Sequence, residues 1–205
     1  MTSPMLPVLL WELACALHTD PDGAALAARI REGDREAFRT FFDRHHARLV
    51  GYVRSRGVPQ GAAEDIVQEA FLYIWTHREA IDPEQSLRAY LFRIGYTRAL
   101  NHRRDRTREE LTDDPSSLDG ATAQRPDRAL ADQERTEQIE AAIAQLSERR
   151  RSVIELCMLE ELTYREAAQV LGITRKTVEN HMGHALKDLR ERLRLAEDGS
   201  AGSGP

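Results

Sequence analysis

Apolar residues recur at intervals of three and four along almost the whole chain. No stretch alternates with the period of two that marks a strand. Phe38, Phe41, Phe42, Leu49, Tyr52 and Val53 form one helical stripe, opened by Gly33-Asp34 and closed by Gly57-Val58-Pro59. A shorter helix precedes it, from the turn Asp20-Pro21-Asp22-Gly23 to about Glu32. A third runs from about Gln60 to Trp75 and a fourth from about Leu87 to Arg104, with a loop over 77–86 between them. Helices resume near Ala129 and continue to about Leu195, with breaks at Ser147, Thr163 and Thr174.

Between these two helical groups, residues 112–128 carry Pro115, Ser116, Ser117, Gly120 and Pro126 and few large apolar residues, so they read as a linker. The fold class is therefore all-α: an N-terminal helical bundle and a C-terminal helix-turn-helix domain, joined by a flexible acidic linker. The expected divisions are an accessory segment over 1–19, a first domain over 20–108, the linker over 109–135, a second domain over 136–196 and a disordered tail over 197–205.

The third helix has two distinct faces. Ile66, Val67, Ala70, Phe71 and Ile74 share one and are expected to be buried. Asp65, Gln68, Glu69 and Leu72 share the other. A plain solvated face mixes Lys with Glu, whereas this one offers acids, an amide and a Leu without any cation. It reads as a surface for a protein, alongside the blander reading of a charged face in water. The fourth helix interleaves Arg with rings. Leu87, Leu91 and Ile94 are core candidates, and Tyr90, Phe92 and Tyr96 do not all fit on that stripe. Rings beside guanidinium groups suit single-stranded DNA, where bases stack and phosphates pair. The alternative buries the rings and leaves the Arg side chains in water.

In the second domain the local signals agree with one another. Thr163 and Glu166 make a capping box, Gly172 suits a left-handed helix end, and Thr174 caps the next helix. Ile173, Val178 and Met182 are expected on the buried side of a helix-turn-helix. Arg175, Lys176, Thr177, Glu179, Asn180 and His181 then face outward at the N-terminal half of the second helix, the part that meets base edges. Arg175 and Lys176 suit phosphate or guanine, and Asn180 suits adenine. Lys187, Arg190, Arg192 and Arg194 follow as further phosphate partners.

Overall charge hides this pattern. The chain of 205 residues has a formal net charge of −5, which alone argues against a nucleic-acid binder. Locally, residues 87–108 hold seven Arg against the single acid Asp105, and residues 109–137 hold nine acids against three Arg. The first block can meet phosphates and the second cannot. Cys15 and Cys157 have no metal spacing and no disulfide framework, which fits a reducing, cytoplasmic setting. The apolar run over 5–17 contains Glu12, lacks a preceding Lys or Arg, and is too short for a membrane span. It reads as a short accessory helix, or an overcalled start, rather than a secretion signal. No Ser-His-acid order, phosphate-binding Gly loop or metal cluster is present, so neither an enzyme nor a cofactor is predicted. His181 and His184 lie one turn apart without further ligands nearby, and in His45-His46 one ring is expected to be buried. The helix-turn-helix alone would also suit a response regulator, but the N-terminal half lacks that protein's alternating strands and helices.

Taken together, Asp34-Arg35-Glu36-Ala37-Phe38, the segment Ala63 to Phe71, the helix Leu87 to Arg104 and the run Leu146 to Ile154 resemble, in order and content, bacterial RNA polymerase sigma factors of the extracytoplasmic-function (ECF) group of the sigma-70 family. That resemblance implies a promoter-specificity subunit with several partners: core RNA polymerase (its largest-subunit clamp helices and flap region), promoter DNA and an anti-sigma protein. It implies that Asp65, Gln68, Glu69 and Leu72 bind core polymerase. Arg88, Arg93, Tyr96, Arg98, Arg103 and Arg104 would contact the minus-ten element, with loop 77–86 cradling a flipped base. Arg175, Lys176, Thr177, Glu179, Asn180 and His181 would contact the minus-thirty-five element. The acidic linker would pass near the polymerase's RNA path. Thr97 and Asn101 depart from the family's usual Asn and Asp.

Overall fold

The structure, a computed structural model, describes the backbone of residues 22–110 and 138–201, with side chains over 22–108 and 138–193. The predicted accessory segment, most of the linker and the end of the tail lie outside the described residues. Among those residues every regular element is helical, and they divide into two compact units.

The first unit contains α1 (Gly23–Arg31), α2 (Arg35–Ser55), α3 (Gln60–Thr76) and α4 (Leu87–Glu110). Asp34 starts α2 as predicted: its extended backbone lets one carboxylate oxygen accept from the amides of Glu36 at 2.9 Å and Ala37 at 3.1 Å. Gly33 and Gly57, with φ of +87° and +82°, turn the chain at either end of that helix. The core takes Ile30 from α1, Phe41, Leu49, Tyr52 and Val53 from α2, Val67, Ala70, Phe71 and Ile74 from α3, and Leu91, Phe92 and Ala99 from α4. Phe71 is the hub of a ring cluster, with Phe42, Phe41 and Phe38 centred 4.7, 5.8 and 6.2 Å away. His45 is buried against Phe41 and His46 lies against Phe42, so one ring of the pair is internal, as expected.

Two boundaries differ from the sequence reading. The loop over 77–86 contains a short 3-10 turn, Arg78–Ala80. The fourth helix continues past Arg104 to Glu110, into the start of the expected linker. Nothing between these positions breaks a helix, Arg and Glu favour one, and the Thr107 hydroxyl donates to the Arg103 carbonyl at 2.9 Å.

The second unit contains α5 (residues 138–144), α6 (Glu148–Ile154), a π turn (Glu155–Leu159), α7 (Tyr164–Leu171) and α8 (Arg175–Ala201). The π turn, which the sequence pattern does not signal, continues α6 and ends with the Glu160 amide donating to the Glu155 carbonyl at 2.9 Å. Glu161 then takes a φ of 56°, left-handed although it is not Gly. The capping box forms reciprocally: the Thr163 amide donates to Glu166 Oε2 at 2.8 Å, and the Glu166 amide donates to Thr163 Oγ1 at 3.2 Å. Gly172 is left-handed with φ +64°, and Thr174 Oγ1 accepts from the Thr177 amide at 3.1 Å. Val153, Leu156, Cys157, Leu162, Ala167, Val178, Met182 and Ala185 are buried, while Ile173 is half-buried.

Candidate protein-binding and nucleic-acid-binding surfaces

Burial of Val67, Ala70, Phe71 and Ile74 fixes the rotation of α3, so its opposite face must point outward. Asp65, Gln68, Glu69 and Leu72 all lie there, exposed, with Leu72 at 64%. Their spacing of three, four and seven stacks them into one ridge along the helix. Neither Asp65 nor Gln68 is engaged by another described residue. Glu69 is engaged by the Arg98 guanidinium of α4.

Along α4 the structure separates the residues that the sequence grouped. Arg93, Arg103 and Arg104 are exposed, and Arg88 and Arg98 are half-buried. Neither Arg93 nor Arg104 has an ion-pair partner among the described residues. Tyr96 is internal at 8% exposure, which corrects its assignment as a DNA-facing ring. It shares a row of positions three and four apart with buried Phe92 and Ala99, and the Arg56 guanidinium lies 5.8 Å from its ring centre. Tyr90 falls off that row and is 41% exposed. It adjoins Tyr73, itself 38% exposed and stacked on His77 with centroids 4.1 Å apart. Burial, then a hydrogen bond with Tyr73, raise the Tyr90 phenol pKa above its ordinary value. Tyr73, Tyr90 and Arg93 thus form an accessible ring-and-cation surface. The sequence signal was Tyr90's position between two buried rows.

The loop before α4 is held by local bonds. Asp82 accepts from the Glu84 amide and the Gln85 carboxamide, each at 3.0 Å, and Ser86 Oγ accepts from the Ala89 amide at 3.1 Å. Arg78 lies over Trp75, 4.9 Å from its ring centre.

In the second unit the buried side of α8, set by Val178 and Met182, leaves Arg175 and Lys176 with side chains 68% and 78% exposed. Both donate to Glu179, at 3.1 and 3.2 Å. Asn180 is exposed, and Thr177 and His181 are half-buried. The Thr177 hydroxyl is 2.8 Å from that of Thr174, so it is tied into the helix cap. No group of three or more His, Cys, Asp or Glu among the described residues is placed to hold a metal ion. No helix among them is long and apolar enough to cross a membrane.

The first unit thus presents an outward ridge of acids and an amide beside a basic helix, and the second carries the helix-turn-helix of a DNA-binding protein. Residues 41–109 match the family Sigma-70 region 2, and residues 136–189 match the family Sigma-70, region 4. RNA polymerase sigma factor CnrH of Cupriavidus metallidurans is 32% identical over 182 residues, covering 82% of this chain and 92% of that protein. ECF RNA polymerase sigma factor RpoE of Cereibacter sphaeroides is 28% identical over 176 residues, covering 84% and 95%. The structure of CnrH in complex with the cytosolic domain of CnrY is similar with a TM-score of 0.60 and 30% identity, over 84% of this chain and 97% of that one. The chain belongs to the ECF group of the sigma-70 family of bacterial RNA polymerase sigma factors. It is a promoter-recognition subunit that directs transcription initiation.

Proposed function

We propose that the two units divide the work of a dissociable sigma subunit, with residues 20–108 serving core polymerase and the minus-ten element and residues 136–196 serving the minus-thirty-five element. The Asp65, Gln68, Glu69 and Leu72 ridge docks on the clamp helices of the polymerase's largest subunit. The observation that carries this reading is the ridge itself: acids, an amide and a 64% exposed Leu72 on the outward side of a helix whose other face is core. Such a face suits a partner that donates hydrogen bonds and brings positive charge.

Arg88, Arg93, Arg98, Arg103 and Arg104 hold minus-ten phosphates, with Tyr90 in place of Tyr96 as the accessible ring. Arg175, Lys176, Asn180 and His181 read the minus-thirty-five element, with Glu179 aiming the two cations and Thr177 fixing the helix end. The second unit also meets the polymerase flap region, and the acidic linker runs near the RNA path. The subunit makes and breaks no bonds itself. Its binding energy favours strand opening at the promoter, and it acts in the cytoplasm.

The relative CnrH was solved with the cytosolic domain of CnrY. By analogy, an anti-sigma protein covers these same surfaces in this chain. Co-purification with core polymerase tests the central assignment. Asp65→Arg, or Gln68→Ala together with Glu69→Ala, should abolish co-purification while the helical circular dichroism and melting temperature stay at wild-type values. Full retention of core by both variants would remove the ridge from the interface.

A further inference from the structure

The Glu69–Arg98 ion pair joins the two surfaces just assigned. Glu69 belongs to the outward ridge of α3, and Arg98 is one of the arginines of α4. The two residues are far apart in sequence, and each remains partly open to solvent, with side-chain exposures of 60% and 34%. Burial of Phe71 and Ile74 below, and of Leu91 and Ala99 alongside, fixes the two helices against each other, so the pair is presented by a rigid frame. Arg93 and Arg104, on the same helix, have no ion-pair partner among the described residues, and neither has Asp65 on the ridge. One ridge carboxylate and one promoter-facing guanidinium therefore neutralise each other in the free subunit.

We propose that this pair is a latch that couples polymerase docking to DNA binding. In the free subunit Arg98 is held on Glu69, and a phosphate must displace a carboxylate to reach it. When the ridge docks, the polymerase surface takes over the Glu69 carboxylate and Arg98 is released toward DNA. The exchange is also visible to salt. Without polymerase, Arg98 held on Glu69 makes no phosphate contact and so releases no cation from DNA. With Glu69 neutral or already docked, the same contact releases its cation in full.

The proposal rests on the surface assignments above, and a test on the full-length chain separates the two. Affinity for a fluorescein-labelled promoter fragment is measured by anisotropy against salt concentration, without polymerase, for the wild type, Glu69→Gln, Arg98→Ala and the double variant. Glu69→Gln should tighten binding by up to about fivefold, the upper end for an exposed ion pair. It should steepen the log-log salt slope by about 0.9, one phosphate contact. Both gains should vanish in the double variant. A Glu69→Gln protein that binds as the wild type does, or a gain that survives Arg98→Ala, overturns the latch; the second outcome is a general charge effect. Arg98→Ala is also measured in the assembled holoenzyme. Loss of about one unit of salt slope there, with no Glu69→Gln effect in the free subunit, sinks the latch alone. Wild-type slope there sinks Arg98 as a DNA contact and the latch with it.

Discussion

The Arg56 guanidinium sits over two rings of the first unit, 4.9 Å from the centre of Tyr52 and 5.8 Å from that of Tyr96. Arg56 itself is buried at 5%, so Tyr96 is clamped from inside rather than offered to a base. Tyr96→Ala should therefore behave as a core truncation and cost about 3–5 kcal/mol in urea unfolding. Tyr90→Ala, by contrast, should cost about 1 kcal/mol or less and instead lower the yield of permanganate-reactive open promoter. A stable Tyr96→Ala protein with a selective DNA defect would reverse the two roles.

Signals carried within one turn of helix were legible in the sequence. Asp34, Thr163 with Glu166, Gly172 and Thr174 all end or begin helices where the pattern placed them, because capping depends on residues two or three apart. The two faces of α3 were legible for the same reason: a period of 3.6 fixes both once one is apolar. Features set by distant partners were not. Tyr96 reads as an aromatic beside Arg until Arg56 arrives from the end of another helix, and Glu69 reads as a free acid until Arg98 reaches it. The π turn was hidden because Glu155 to Leu159 fits a continued α-helical stripe equally well.

Gly95 of α4 packs directly against Leu49 of α2. A Cβ on Gly95 would lie 2.8 Å from Leu49 Cδ1, and Leu49 is fully buried with little room to move. Gly95→Ala should destabilise the unit by about 1–3 kcal/mol, as overpacking does. Combining it with Leu49→Ala should cost less than the two single changes together, because the second removes the atom the first strikes. Additive losses in a denaturant-unfolding cycle would mean the helices do not meet at this point.

Acid should weaken the start of α2. The Ala37 amide and then the Arg29 guanidinium hold the Asp34 carboxyl below its ordinary value of 3.8. A depressed folded-state value means the folded chain favours the carboxylate. Its contribution is complete above the unfolded value of about 3.9 and is lost as pH falls through the folded one. Asp34→Asn keeps a capping oxygen but no charge, so it should melt below the wild type at neutral pH. The gap should close once the pH is low enough to protonate the folded carboxyl. A gap that stays constant down to that pH would assign the difference to shape rather than charge.

Glu161 occupies a left-handed conformation, with φ at 56°, between the π turn and the capping box. A side chain there costs about 1–2 kcal/mol, against about 0.5–1 kcal/mol for the extra freedom of Gly in the unfolded chain. Glu161→Gly should thus raise stability by up to about 1.5 kcal/mol, less what the Glu161 side chain's own interactions contribute, read as a higher melting temperature by calorimetry. Glu161→Val, branched at Cβ, should lower it. A Gly variant that melts earlier would show that the Glu161 side chain contributes more than its backbone costs.

On α8, Glu179 accepts from both Arg175 and Lys176 at 3.1 and 3.2 Å, so one carboxylate offsets part of the positive charge at the exposed end of this helix. This arrangement favours reading a sequence over gripping any duplex, because phosphate attraction is sequence-independent. Glu179→Gln should release both cations. The log-log salt slope for unrelated DNA should steepen by up to about 0.9 per released cation, and the preference for the minus-thirty-five element should fall. The stability loss should be small, about 0.3–0.5 kcal/mol per helix-surface pair. Competition binding with matched and scrambled upstream elements, over a salt series, measures both quantities. Should preference fall at one base pair only, with the slope unchanged, Glu179 would instead touch a base itself, accepting from a cytosine amino group.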